Sequence, residues 1–487
     1  MNGYMEGHYS SLTGSSSFML RAVVPFLLVV ALVALGSYFF FYKTLLYCFL
    51  AGFVLVSIIE VEVPVHLFIF LLPFDLLIRY FLSLLNWSDP ASWKELITAA
   101  IILPMLARVF MKRHWRLSFL DISILLYFSY FVIQLAFSGL SGSVLWAFKS
   151  STQFLIFYFV GRVVLRNAGC CKRIIQSVLL SGGVLVAILL WTKIYSSGSL
   201  NRLFGHLGET RTIDGVISTE HGLFTSAYNL GFFLTVIMWI GMVVALHAGS
   251  SLFFRLASLV IAGAALVPLL YTYSRSAWVA LLATLIIGGV LLKKRIMILA
   301  AACSIVLFIV LDPTVADRFL SIFKQNPRLY IWQYHLDVTF PMHPIFGNGL
   351  GSFLTREPAY LAVVTKGHIT TVDNLYFTKV LEVGILVLLL IVPILVGIFR
   401  STGKVLKSRD AGTRLFGEAV LGVILIVFFV GMFSAGWENY PAGCLFWLFA
   451  GGVDLMAVHV MKGRPDSAGE ESWRHPFGLK VPEAEGR

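Results

Sequence analysis

The sequence predicts an all-α, polytopic integral membrane protein with about 14 transmembrane helices. Three observations lead there. The chain is 58% hydrophobic and only 13% charged over 487 residues, whereas soluble domains are about half apolar and about a quarter charged. Mean hydropathy is +0.87. Apolar runs of span length, separated by short polar or basic pieces, cover most of the chain and leave no room for a separate soluble domain.

Residues 1–21 are polar, lack a basic run before Arg21, and read as an N-terminal cytoplasmic segment ahead of a retained span. Spans are expected near 22–42, 44–59, 63–86, 94–111, 117–138, 145–165, 174–194, 222–247, 253–272, 276–292, 295–311, 373–399, 415–435 and 440–460. Basic clusters at 112–116, 162–173, 293–295 and 400–414, with Lys462 and Arg464, all fall on one side under this count. The positive-inside bias makes that side cytoplasmic. It also accounts for the net charge of +12, so no nucleic-acid partner is expected. The transmembrane domain is then 22–461, and the polar tail 462–487 is expected to be disordered in the cytoplasm. The five cysteines have neither disulfide nor metal-ligand spacing, so no metal site is expected.

Two longer segments, 195–221 and 312–372, fall on the extracytoplasmic side. Within the second, Asn326–Pro327 predicts a helix start, because Asn caps and Pro suits the first turn. Leu329, Trp332 and Leu336 share one face of that helix, and Pro341 and Pro344 end it.

The residues that can carry chemistry cluster on this outer side. Arg275 stands between two spans in YTYSRSAWV, beside Ser274. An ionisable group at such a seam is costly and points to function, although a guanidinium there can also snorkel to the interface. Its fixed fork of donors suits phosphate oxygens. Arg328 is a second such group, or a solvated loop charge. The run PIFGNGLGSF holds Gly347, Gly349 and Gly351, which permit tight turns and close backbone approach to a ligand. No strand precedes it and no Lys-Ser/Thr ends it, so it is not a nucleotide loop. Asp373 and Asn374 open the returning helix, either as caps or as chemistry. Lys379 and Glu382 are i, i+3 neighbours and able to pair. Asp75 and Arg79, Lys149 and Asp454 read as paired or snorkelling side chains.

Taken in order, these features resemble the O-antigen ligase and polysaccharide polymerase superfamily of bacterial envelope glycosyltransferases. The resemblance rests on SRSAW at 274–278, on Arg328 with Trp332, on Pro344, Phe346, Gly347, Gly349 and Gly351, and on Asp373–Asn374 with Glu382 and Gly384. It covers about 270–390, within an expected family-like region of 222–435. It implies a bundle like the C-type glycosyltransferases, roofed by the long outer loop, in the bacterial inner membrane. It implies a donor glycan on undecaprenyl pyrophosphate, attack by an acceptor hydroxyl, and no metal, nucleotide sugar or other cofactor. Arg275 and Arg328 would steady the departing pyrophosphate. Ser274, Trp332, the three glycines, Asn374 and Glu382 would bind substrate. Ligases of the family place His before the Asn where this chain has Asp373. That leans toward a polymerase, with Asp373 as base and His368, five residues upstream, as the alternative. Partners implied are the lipid-linked oligosaccharide, membrane lipids, and a chain-length regulator or flippase of the same pathway. A ligase remains the close alternative, and a lipid-linked oligosaccharide flippase or transporter the alternative of another class.

Overall fold

The computed structural model describes residues 60–84, 92–112, 117–195, 226–310, 313–320, 327–355, 372–434 and 436–461, with a few short pieces between. The N-terminal segment, the expected span at 22–42, most of that at 44–59 and the C-terminal tail lie outside the described residues. The described chain is helical apart from a two-residue antiparallel ladder, in which Thr212–Ile213 pairs with Ile217–Ser218.

The helices are α1 (Glu62–Leu71), α2 (Asp75–Leu84), α3 (Trp93–Lys112), α4 (Phe119–Ser138), α5 (Gly142–Thr152), α6 (Ile156–Val164) and α7 (Ala168–Tyr195). Then come α8 (Ala227–Ala245), α9 (Leu252–Tyr271), α10 (Arg275–Leu291), α11 (Arg295–Val310), α12 (Pro313–Leu320) and α13 (Pro327–Tyr334). The last four are α14 (Leu375–Val383), α15 (Leu386–Leu406), α16 (Ala411–Gly431) and α17 (Ala442–Met461).

Among the described residues, eight helical stretches are long and apolar enough to cross a membrane, or nine if α11 and α12 form one broken span. The helix α10 is apolar but shorter. Three stretches expected as continuous spans are interrupted, the first being 63–86, which divides into α1, a 3-10 turn at Leu72–Phe74, and α2. Residues 145–165 divide into α5, a 3-10 turn at Gln153–Leu155, and α6. Residues 373–399 divide into α14 and α15 at Gly384. Hydropathy averages over such breaks, because the interrupted backbone is still flanked by apolar side chains.

Residues 1–68 with 77–114, and 69–76 with 115–487, form two compact units. In the first, Phe68 and Trp93 make a tilted ring pair 6.4 Å apart. The second holds every described candidate site residue. Its centre is Trp239 of α8, fully buried against α10 and α16. A Cβ on Gly288 would lie 2.3 Å from that indole, and one on Gly422 1.9 Å. Small residues let these helices close on the ring, as membrane helix interfaces require. The indole Nε1 donates to the carbonyls of Glu418 and Ala419, at 3.1 and 3.2 Å.

Helix directions follow from specific contacts. Lys294, just past α10, pairs with Glu418 in the second turn of α16. The helices α10 and α16 pack along each other and are therefore antiparallel. Gly397 of α15 lies against Phe119 and Leu120 at the start of α4, so α4 and α15 are antiparallel too. The short connection 407–410 makes α15 and α16 antiparallel. One end of the bundle thus collects the end of α4, the start of α10, the start of α15 and the end of α16. The basic clusters at 293–295 and 404–414 lie at the opposite end.

That opposite end also holds a buried polar network. Asp121 completes a capping box with Ser118 at the start of α4. Its carboxylate contacts Arg162, and Tyr158 lies within hydrogen-bond reach of both Asp121 and Asp454, at 2.9 and 3.0 Å. Ser401 donates to Asp454 at 3.3 Å. Arg162, expected as part of a solvated basic cluster, is instead buried against acids from two other helices.

Candidate functional site

The seam that holds Arg275 is a three-residue reversal between α9 and α10. Tyr273 takes a left-handed φ of 51°, uncommon for an aromatic residue. The turn is pinned by Trp278, whose buried Nε1 donates to the Leu269 carbonyl at 3.0 Å. Ser274 stands at the N-cap position of α10, but its hydroxyl lies 3.2 Å from that of Ser276 and caps no amide. Arg275 is half-buried at the first helical position. Lys193 lies over the Tyr271 ring, 3.8 Å from its centroid, and adds a second cation near the seam.

Asp373 and Asn374 lie at the same end of the bundle. The amide of Leu375 donates to the Ser434 carbonyl just past α16, at 3.0 Å. Asn374 caps α14, its Oδ1 accepting from the Phe377 amide at 2.9 Å. Capping is therefore done by Asn374, and Asp373 stands one residue outside the helix, half-exposed.

The outer-loop helix α13 sits over the start of α14. The Trp332 ring meets Phe377 edge-on at 6.5 Å, and His335 meets Phe377 at 6.4 Å and Phe353 at 5.2 Å. Of the expected apolar face, Trp332 packs against α14. Leu329 and Leu336 are exposed, whereas Ile331 and His335 are buried. A π-helical turn over His335–Thr339 changes the angular spacing that the 3.6-residue period assumed. It also carries the chain as far as Met342, past Pro341. Burial pushes the His335 imidazole down to about 4, and its Nδ1 lies 2.9 Å from the Thr339 hydroxyl. The backbone of Arg328 stands one turn before Trp332 in this helix; its side chain, and all of His368, lie outside the described residues.

The glycine run does something the sequence did not suggest. Where α14 stops at Gly384 (φ 83°), its last carbonyls lose their helical partners. The glycine run supplies replacements. Asn348 and Gly349 donate their amides to the carbonyls of Leu381 and Glu382, each at 2.9 Å. The Asn348 side-chain amide donates to Leu381 as well, at 3.0 Å, and the Tyr130 hydroxyl donates to Val383. Ile385 returns a bond to the Pro344 carbonyl at 2.9 Å. The loop is thereby fastened to α4 too, where the Leu350 amide donates to the Ser138 hydroxyl at 3.0 Å. At Gly347 the backbone approaches the end of α14 closely. Such irregular backbone persists in a membrane protein only where its polar groups are satisfied.

Glu382, expected among the substrate-binding residues, pairs with Lys379. It is buried, and its carboxylate accepts from Lys379 at 3.0 Å. Lys379 is itself buried, 3.0 Å from Glu438 and donating to Ser151 at 2.8 Å. Burial pushes the Glu438 carboxyl up, with Lys379 opposing the shift. This cluster ties α14, α5 and the Gly436–Glu438 turn together behind the site. Its Lys379–Glu382 pair was legible from spacing. Glu438 was not, although an acid in WENY between two spans was a usable signal.

A cavity of about 750 Å³ lies beside these elements, between the end of α4, the start of α5 and the glycine run. Gly347, Gly349 and Gly351 all contribute to its wall.

In comparison with known proteins, residues 257–392 match the family model described as O-antigen ligase. The matched stretch runs from α9 into α15, so it contains Arg275, α13, the glycine run and Asp373. No curated protein matches the chain. The family match supports the O-antigen ligase superfamily for this chain.

Proposed function

We propose that this protein, with an O-antigen ligase region at 257–392, polymerises a bacterial surface polysaccharide. It joins glycan units carried on undecaprenyl pyrophosphate at the extracytoplasmic face of the inner membrane. The observation that carries this reading is that Arg275 and Asp373 share one end of the bundle, opposite the basic clusters at 293–295 and 404–414. Positive loops face the cytoplasm, so that end faces outward.

The acceptor hydroxyl oxygen attacks the anomeric carbon of the donor. Its proton passes to the Asp373 carboxylate, with His368 as the alternative base. The bond from the anomeric carbon to the phosphate oxygen breaks, and undecaprenyl pyrophosphate leaves. The charge growing on that leaving group is met by the forked donors of Arg275 and Arg328. Neither step calls for a metal or a nucleotide sugar. Trp332 and Asn374 hold the outer-loop helix and Asp373 in register, and Glu382 acts from behind as a positioning residue through Lys379.

The family description itself favours a second reading, in which the same chemistry transfers a finished glycan to a different acceptor. Purified protein reconstituted with a lipid-linked repeat unit separates the two. A ladder of products is the expected result, and transfer to a separate acceptor alone makes it a ligase. Movement of the lipid across the bilayer without new glycosidic bonds overturns both.

A further inference from the structure

The cavity between α4, α5 and the glycine run is lined by polar and apolar groups in comparable measure; His343 lines it, and among the described residues no Asp, Glu, Lys or Arg side chain does. Its lining includes the Gln134 and Asn348 amides and Ser141 and Ser143, whose hydroxyls lie 3.1 Å apart. Two phenyl rings, Phe137 at 85% and Phe346 at 64% exposed, also line it. Uncharged donors and acceptors between exposed aromatic faces suit a ligand with hydroxyls on its edge and C–H groups on its faces. Among the described residues a pyrophosphate would find no guanidinium or ammonium here, whereas Arg275 stands elsewhere at the same end of the bundle.

From this we infer that the cavity is a subsite for the neutral sugar part of the glycan, distinct from the place where the pyrophosphate is held. The inference rests on the proposed glycan chemistry but not on which residue is the base. It assigns substrate recognition to α4 and α5, outside the stretch that matches the family. It also gives the glycine run two roles, since the loop that closes the break after α14 forms one wall of the sugar site. The amides of Gln134 and Asn348 already bond protein carbonyls, at 3.3 and 3.0 Å, which holds them fixed in the lining.

Binding of oligosaccharides to the purified full chain in lipid nanodiscs tests this. The probes are a surface-immobilised panel of neutral oligosaccharides and a matched panel of anionic ones. The wild type and Arg275→Ala are expected to retain neutral members equally. The double variant Phe137→Ala/Phe346→Ala should weaken that retention about tenfold or more. Both rings are largely exposed, so their loss leaves the melting temperature unchanged, which is checked in parallel. Retention of anionic members only, of none, or undiminished retention by the double variant overturns the subsite. Because the readout needs no turnover, loss of the subsite leaves the catalytic reading standing. Conversely, an Arg275→Ala variant that is fully active and still binds sugar ends the catalytic reading alone.

Discussion

Gly347 and Gly384 meet backbone to backbone. Both take left-handed φ values, 72° and 83°, and a Cβ on Gly347 would lie 2.5 Å from the Gly384 amide nitrogen and 2.4 Å from the Glu382 carbonyl. A Cβ on Gly384 would lie 1.8 Å from the Ile345 carbonyl oxygen. The meeting point joins the outer loop to the break between α14 and α15.

Gly384→Ala and Gly347→Ala should therefore be strongly destabilising. The left-handed backbone alone costs about 1–2 kcal/mol in a residue with a Cβ, and the backbone clashes add to it. Gly349→Ala should be milder, because its Cβ would meet only the Ser138 side chain, at 3.3 Å. Gly263→Ala in α9, where nothing lies within 4 Å, should be neutral. Thermal unfolding in detergent ranks the four, and a Gly384→Ala protein as stable as Gly263→Ala would contradict the docking role.

Lys379→Met should cost about 3–5 kcal/mol, the usual loss when one partner of a buried ion cluster is removed. It leaves Glu382 and Glu438 buried without their shared cation. Glu438→Gln should be far milder. The Glu438 carboxyl has its folded pKa raised, so whatever stability it contributes is present at low pH and declines as pH rises through the folded value. Glutamine mimics the protonated form and removes that decline. Unfolding of the three proteins at pH 6 and pH 8 checks both statements.

His335 makes the outer loop sensitive to acid. Its folded pKa of about 4 lies below the ordinary imidazole value of about 6.5, so its contribution is complete above pH 6.5 and is lost as pH falls toward 4. At pH 5 that loss amounts to roughly 2 kcal/mol. His335→Phe should flatten the fall in stability between pH 7.5 and 5. An unchanged pH slope in the variant would show that the imidazole is protonated and solvated in the fold.

Arg275→Ala should lower turnover by two to three orders of magnitude, about 3–4 kcal/mol, as loss of one preorganised donor does. Arg275→Lys should not restore it, because a point charge cannot replace a fork. Membrane insertion should be unchanged in both. Normal polymer from either variant would remove Arg275 from the reaction.

Asp373→Asn keeps the shape of the carboxylate and removes its basicity. Turnover should fall steeply while binding of the lipid-linked donor persists. Full turnover would assign the proton to another group, with His368 the first to substitute.

Composition and hydropathy determined that this chain is a bundle of apolar helices, because a span needs only length and greasiness, both of which are read one residue at a time. The positions of Arg275 and Asp373 at helix starts, the Asn374 cap and the Lys379–Glu382 pair were likewise legible, since each depends on neighbours within about one turn. The tertiary structure alone decided where 373–399 breaks, that Asn348 and Gly349 cap that break, that Glu438 joins Lys379, and that Ile331 and His335 are buried. Those outcomes depend on partners tens to hundreds of positions away. Backbone groups stripped of water must bond to whatever the folded bundle brings within reach, and no local pattern records that choice.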